Sequence, residues 1–234
     1  MAERNELANG AGRTVRGEPA SGANRTVRKD VARNRARLLE AADKLVADSG
    51  LEISLNELAK RAGVGVGTVY RHFADKEAVL SALFEHRLDA IADVFREAGE
   101  YEDPIEGLRH VLYTLGEMQA GDRALFQVMA STKSPQQRAM ARDRLQPLAR
   151  KLVERAKATG RIRPEFAPTD IPMLLWVSMS VNDYSGGVRP DLWRRYIEVA
   201  LDGFAAEGQP REPLTVNPLT PEDMDGAIKG WHQR

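Results

Sequence analysis

From Asp75 to Gly99 the apolar residues Val79, Leu80, Leu83, Phe84, Leu88, Ile91 and Phe95 recur at a spacing that keeps them on one stripe of an α-helix, with Asp75 suited to cap its start. The same period runs through most of the chain. Leu38, Leu39, Ala42, Leu45 and Val46 follow it between Val31 and Ser49, and Gly50 stands where a C-cap glycine belongs. Asp103 and Pro104 open another helix with Ile105, Leu108, Leu112 and Leu115 inward, and one more is expected near Arg123 to Ala130. The next spans about Pro135 to Thr159, carries Ala141, Leu145, Leu148 and Leu152, and stops at Gly160. Two last long helices, Thr169 to Tyr184 and Pro190 to Ala206, flank the breaker Gly186-Gly187. The first is apolar on nearly all sides, which predicts burial on more than one face. After Gly208 a Pro-rich linker leads to a short helix capped by Thr220, with Pro221 at its first position. No convincing strand or internal repeat interrupts this pattern, so the expected class is all-α.

A chain of 234 residues can bury a sizeable core as one large domain or as a small domain fused to a larger one. With no cysteine, disulfides, thiol nucleophiles and cysteine-ligated metals are excluded, and a reducing, cytoplasmic setting is expected. The most apolar stretch, Ile171 to Val181, is far shorter than the ~20 residues a bilayer requires, and the first thirty residues hold no apolar block like a signal peptide. No membrane partner is expected. The formal net charge of 0 conceals an asymmetry: Met1 to Arg37 holds nine Lys/Arg against four Asp/Glu, and the remainder 25 against 30. A basic head on an acidic body suits a nucleic-acid binder, and equally suits a solvated tail. Residues 1–29 have few large apolar side chains and are expected to form a disordered basic arm.

Between the first helix and the helix after Asp75 lie two short ones. Ser54 and Glu57 form an S-x-x-E capping box that starts Leu55 to Arg61; Gly63 can turn the chain, and a third helix runs from about Gly65 to His72. Small Ala59, with Leu55, Leu58, Val64 and Val69 for a core, fits a helix-turn-helix, although an ordinary helical hairpin has the same pattern. The third helix offers Thr68, Tyr70, Arg71 and His72 on its open face, groups able to bond phosphate, and in the case of arginine guanine. Lys76 in the first turn of the next helix opposes the helix dipole, a conflict that an external anion such as a DNA phosphate would remove.

The run SLNELAKRAGVGVGTVYRHFADKEAVLSAL, with the helix before it, resembles the DNA-binding domain of the tetracycline-repressor (TetR) family over about Val31 to Leu83. That resemblance implies that positions matching Ser54, Thr68, Tyr70, His72 and Lys76 meet backbone phosphates, while those matching Val66, Gly67 and Arg71 lie toward the base edges. One departure is Gly65, where relatives often carry a serine cap. A second is Gly67 inside the recognition helix, which costs about 1 kcal/mol relative to alanine. Arg25, Arg28 and Lys29 of the arm are placed to follow the backbone or enter the minor groove.

The resemblance further implies a two-part protein: a helix-turn-helix domain over residues 30–77, an effector-binding and dimerisation domain over 78–206, and a linker with the short C-terminal helix over 207–234. It implies a homodimer through the last two long helices (about 169–206), and repression of a palindromic operator relieved by a small-molecule effector. Candidate pocket residues are Tyr113, Met118, Phe126, Met129, Trp176 and Met179, each of which would serve as well in a plain core. His72, His86, His110 and His232 show no metal-ligand spacing and no G-x-S-x-G elbow occurs, so neither cofactor, metal nor catalysis is expected. The alternatives are an architectural DNA binder without a ligand and a helical enzyme whose first helices merely decorate it.

Overall fold

The computed structural model describes residues 21–121, 134–206, 214, 216–224 and 226, with side chains from residue 33 onward. Among them every named element is a helix, and the one extended pairing is an isolated bridge between Ile162 and Ala205. The chain divides into two units, Met1–Ala36 and Arg37–Arg234.

Helix α1 covers Ser21–Ser49, so the expected irregular arm through residue 29 is corrected: its last nine residues have helical backbone. Once Leu38 to Val46 fix a helix by packing, extension toward the N-terminus adds a hydrogen bond per residue without a new nucleation penalty, and Ala23, Arg25, Arg28 and Lys29 include good helix formers. Arg25, Arg28 and Lys29 carry candidate side chains that lie outside the described ones.

In the second unit, α2 (Leu55–Ala62), α3 (Val66–His72) and α4 (Lys76–Gly99) follow as the caps predict. Then come α5 (Pro104–Gly121), α6 (Pro135–Ala158), α7 (Asp170–Ser185) and α8 (Leu192–Phe204). The helix expected near Arg123 to Ala130 lies outside the described residues. Ser134 caps α6 by accepting from the Gln137 N–H, and Pro135 occupies a first-turn position where a missing N–H does no harm. The C-terminal turn at 221–224 is closed reciprocally: the Thr220 N–H donates to the Asp223 carboxylate and the Asp223 N–H to the Thr220 hydroxyl, each at 3.1 Å.

Two apolar cores result. The first gathers Leu38, Ala42 and Val46 of α1, Leu58 of α2, Val69 of α3, and Val79, Leu83 and Leu88 of α4. The second gathers Leu108 and Leu112 of α5, Leu152 and Val153 of α6, Phe166, Ile171 of α7 and Ile197 of α8. Each fully buried Leu or Ile contributes about 1.5–3 kcal/mol relative to exposure. Helix α6 joins the two cores, because Met140, Ala141 and Leu145 pack on the first and Leu145 also packs on the second. Two ion pairs reinforce the seam: Arg87 of α4 with Asp43 of α1, and Arg144 of α6 with Asp89 of α4.

Helix α8 approaches α5 closely because Gly116 lacks a side chain; a Cβ there would overlap the buried Trp193 ring. The end of α8 is stitched to the chain before α7 by the Arg163 N–H to the Phe204 carbonyl (2.8 Å) and the Ala206 N–H to the Arg161 carbonyl (2.9 Å). On helix α7 Ile171, Leu175 and Ser178 are buried, whereas Val177 is 50% and Tyr184 95% exposed, so among the described residues part of its apolar surface is left open.

Candidate nucleic-acid interface

Local chemistry sets the first short helix. The Ser54 hydroxyl accepts from the Glu57 N–H at 3.1 Å, while the Ser54 N–H and hydroxyl donate to the Glu57 carboxylate at 3.1 and 2.8 Å. At the other end Gly63 sits at φ 64°, a left-handed conformation that glycine adopts without a Cβ clash. There the Val64 N–H bonds to the Ala59 carbonyl (3.1 Å) and the Gly63 N–H to the Lys60 carbonyl (3.3 Å), closing the last turn. The Arg37 side chain adds a bond to the Ala62 carbonyl at 3.1 Å, a contribution across 25 residues that the local pattern did not reveal.

Leu55, Leu58, Ala59 and Ala62 bury one face of α2, and Val69 and Phe73 anchor α3 beside it. That orientation leaves the rest of α3 outward. Val66 is 40% and Tyr70 56% exposed, Gly67 and Arg71 are exposed, and Thr68 and His72 are half-buried. Gly65 is the N-cap of α3 and makes no side-chain cap bond, as the missing serine implies. Arg71 folds back along its own helix, its Nε donating to the Gly67 carbonyl at 3.2 Å. Space around Gly67 is open, with no atom within 4 Å of where a Cβ would stand.

Helix α4 begins immediately beyond. Asp75 caps it by accepting from the Ala78 N–H at 2.7 Å, and Lys76 occupies the first turn. The dipole conflict at Lys76 is relieved from within: its Nζ lies 3.0 Å from the Glu52 carboxylate. Glu52 escaped the sequence reading because the pair spans 24 residues, and an acidic loop residue carries no signal of its own. Ser54, Val66, Gly67, Thr68, Tyr70, Arg71, His72 and Lys76 are thus confined to the start of α2, helix α3 and the start of α4.

Among the candidate pocket residues, Tyr113 and Met118 lie on α5, and Trp176 and Met179 are half-buried on α7, which packs against α5. Tyr113 braces α5 to α8: its hydroxyl donates to Glu198 at 2.8 Å and its ring stands 6.1 Å from that of Trp193. Burial first, then the Glu198 hydrogen bond and charge, push this hydroxyl above its ordinary pKa. Arg194 stacks over Trp193 at 4.8 Å and pairs with Glu117 at 2.6 Å, extending the brace. Phe126 and Met129 lie outside the described residues. Among the described residues no cluster of His, Asp and Glu could hold a metal, and no helix is long and apolar enough to cross a membrane.

Residues 38–83 match the family model described as bacterial regulatory proteins, tetR family. A TetR transcription regulatory protein from Mycobacterium vanbaalenii is 31% identical, over 76% of this chain and 99% of its own, with a TM-score of 0.59. This chain belongs to the TetR family. An HTH-type transcriptional regulator of Staphylococcus aureus (strain USA300) is 36% identical over 100 residues, which are 42% of this TetR-family chain and 54% of that protein. The chain thus spans about half the length of the curated relatives it matches. The transcriptional regulator FadR from Bacillus subtilis, solved in complex with stearoyl-CoA, shares the fold at 20% identity, over 72% of this chain and 98% of its own, with a TM-score of 0.60. Matched stretch and geometry coincide: residues 38–83 contain all of α2 and α3 and the start of α4.

Proposed function

We propose that this chain represses transcription in the bacterial cytoplasm by binding a near-palindromic operator as a homodimer, and that a small, largely apolar effector releases it. The observation that carries the reading is the outward face of α3, anchored by Val69 and Phe73 so that Val66, Gly67, Tyr70 and Arg71 are exposed. Such a helix enters a major groove, with Arg71 and Val66 toward base edges and Tyr70, Thr68, His72 and Lys76 toward phosphates. Arg28 and Lys29 of α1 would add backbone contacts. Residues 30–77 would form the DNA-binding domain and 78–206 the sensing and dimerising one.

The homodimer is supported by the uncovered apolar face of α7 and α8, where Val177, Tyr184, Tyr196 and Val199 are all at least 46% exposed. A patch of this kind covered by its own copy gives a two-fold axis, and a two-fold axis selects a palindrome. The effector would act between α5 and α7, near Met118, Trp176 and Met179, with Phe126 and Met129 as further candidates and Tyr113 held to the α8 side. FadR holding stearoyl-CoA is a precedent for a ligand within this fold. Helix α6 supports a route from that region to the DNA-binding core through Leu145. An effector must prefer the conformation that fits DNA less well, since equal affinity for both shifts nothing.

Footprinting on the DNA upstream of the gene encoding this chain tests the reading. Two protected half-sites about 34–36 Å apart, or somewhat more, related by a dyad, are expected. One asymmetric half-site at full affinity overturns the dimeric mode, and no protection with any neighbouring fragment overturns the regulator.

A further inference from the structure

Lys76 is the cation that the interface needs most at the start of α4, and it is already occupied. Its Nζ lies 3.0 Å from the carboxylate of Glu52, which is 89% exposed on the loop between α1 and α2. Glu52 does not reach that position by chance of a floppy side chain on a floppy loop. Gly50 turns the chain out of α1 at φ 71°, the Gly50 N–H closing on the Val46 carbonyl at 2.8 Å. Three residues later Ile53, 6% exposed, pins the loop into the first core, and the Ile53 N–H bonds to the Leu51 carbonyl at 3.0 Å. Glu52 is therefore the outward residue of a loop tied at both ends. The neighbouring donors show the same arrangement, since the Ser54 N–H and hydroxyl both point to the Glu57 carboxylate.

A carboxylate that pairs with a lysine at a helix start offers the same charge and the same acceptor oxygens as a phosphate would. We propose that Glu52 is an internal stand-in for a DNA phosphate: it holds Lys76 in the free protein, must be displaced on binding, and so sets the affinity and salt dependence of the interface. The inference rests on the reading of Lys76 as a phosphate contact. Its physical consequence is an exchange of partners. When Lys76 moves from Glu52 to a phosphate, the DNA releases a counterion, and the freed carboxylate collects a cation from solution. The net ion release at this contact is then smaller than for an unpaired lysine. Glu52 would lower affinity most at low salt, where screening is weak. It would also restrain binding to DNA of any sequence, because a phosphate contact carries no base information.

The test measures binding of the full chain to a mixed-sequence DNA duplex by fluorescence anisotropy over a range of salt concentrations. Four proteins are compared: wild type, Glu52→Gln, Lys76→Met and the double variant. Methionine keeps the stem that leaves Lys76 only 30% exposed, and thermal melts confirm that all four are folded. Glu52→Gln is expected to tighten binding by roughly 1.5- to 5-fold at low salt, the range that exposed ion pairs span. Its plot of log affinity against log salt should steepen by up to about 1, so that the advantage fades as salt rises. In the Lys76→Met background the gain should disappear. An equal gain with and without Lys76 overturns the proposal, because Glu52 would then merely repel DNA. No gain in either background overturns it as well. If Lys76→Met binds as tightly as wild type at every salt concentration, the interface reading itself fails, a result distinct from the other two.

Discussion

The ion pair between Arg87 and Asp43 ties α4, the helix that runs out of the DNA-binding face, to α1. Its two ends are unequally buried: the Arg87 side chain is 9% exposed and that of Asp43 30%. Removing one partner of a deeply buried pair costs about 3–5 kcal/mol because a charge is left without compensation, whereas fully exposed pairs contribute about 0.2–1 kcal/mol. The cost should therefore depend on which charge, the more buried or the more exposed, loses this partner. Asp43→Asn takes the Asp43 carboxylate from a nearly buried guanidinium, for which we expect a loss of about 2–4 kcal/mol. Arg87→Met keeps the apolar stem and leaves a carboxylate that water can reach, for which we expect about 1–2 kcal/mol. At roughly 2–4 °C per kcal/mol for a chain of this size, the melting temperature should fall by about 4–16 °C in the first variant and about 2–8 °C in the second. Joining Arg87→Met to Asp43→Asn removes both charges and should recover part of the loss, a coupling that this double-mutant cycle measures. Thermal melts followed by circular dichroism at one protein concentration are the assay, because subunit association would make the melting temperature concentration-dependent. Equal losses in the two single variants, or a greater loss for Arg87→Met, would refute the argument from burial.

Gly67→Ala places a methyl group in open space within α3, so it should stabilise the free protein by about 0.5–1 kcal/mol in denaturant titrations; weaker DNA binding in the same variant would show that the DNA approaches this backbone closely. Gly116→Ala drives a Cβ into the Trp193 ring and should cost about 1–3 kcal/mol, read as a lower denaturation midpoint with a blue or red shift of tryptophan emission. Asp170 is half-buried, and burial raises its pKa despite the opposing Ala167 N–H and Lys157. Its folded pKa then exceeds its unfolded one, so ionising it destabilises the fold once pH rises above the ordinary carboxylate value. Asp170→Asn should accordingly stabilise at neutral pH, with the advantage vanishing below about pH 4; an advantage independent of pH would exclude this cause.

Whatever depends on residues within about one helical turn was legible in the sequence. Ser54 with Glu57, Gly63, Asp75, Pro104, Pro135 and Gly160 all act on backbone groups at most a few positions away, so the helix limits around the interface follow from local chemistry alone. The apolar stripes likewise announced an all-helical chain, and Val69 against Tyr70 announced which side of α3 is buried and which is open. Contacts between distant segments were decided only by packing. Lys76 meets Glu52 across 24 residues and Tyr113 meets Glu198 across 85, so a lysine expected to await an external anion holds an internal one, and the Tyr113 hydroxyl is tied to α8. Helix α7, apolar all round, has one face buried and one bare, since periodicity records how much apolar surface a helix carries, while only the arrangement of its neighbours determines which of that surface they cover.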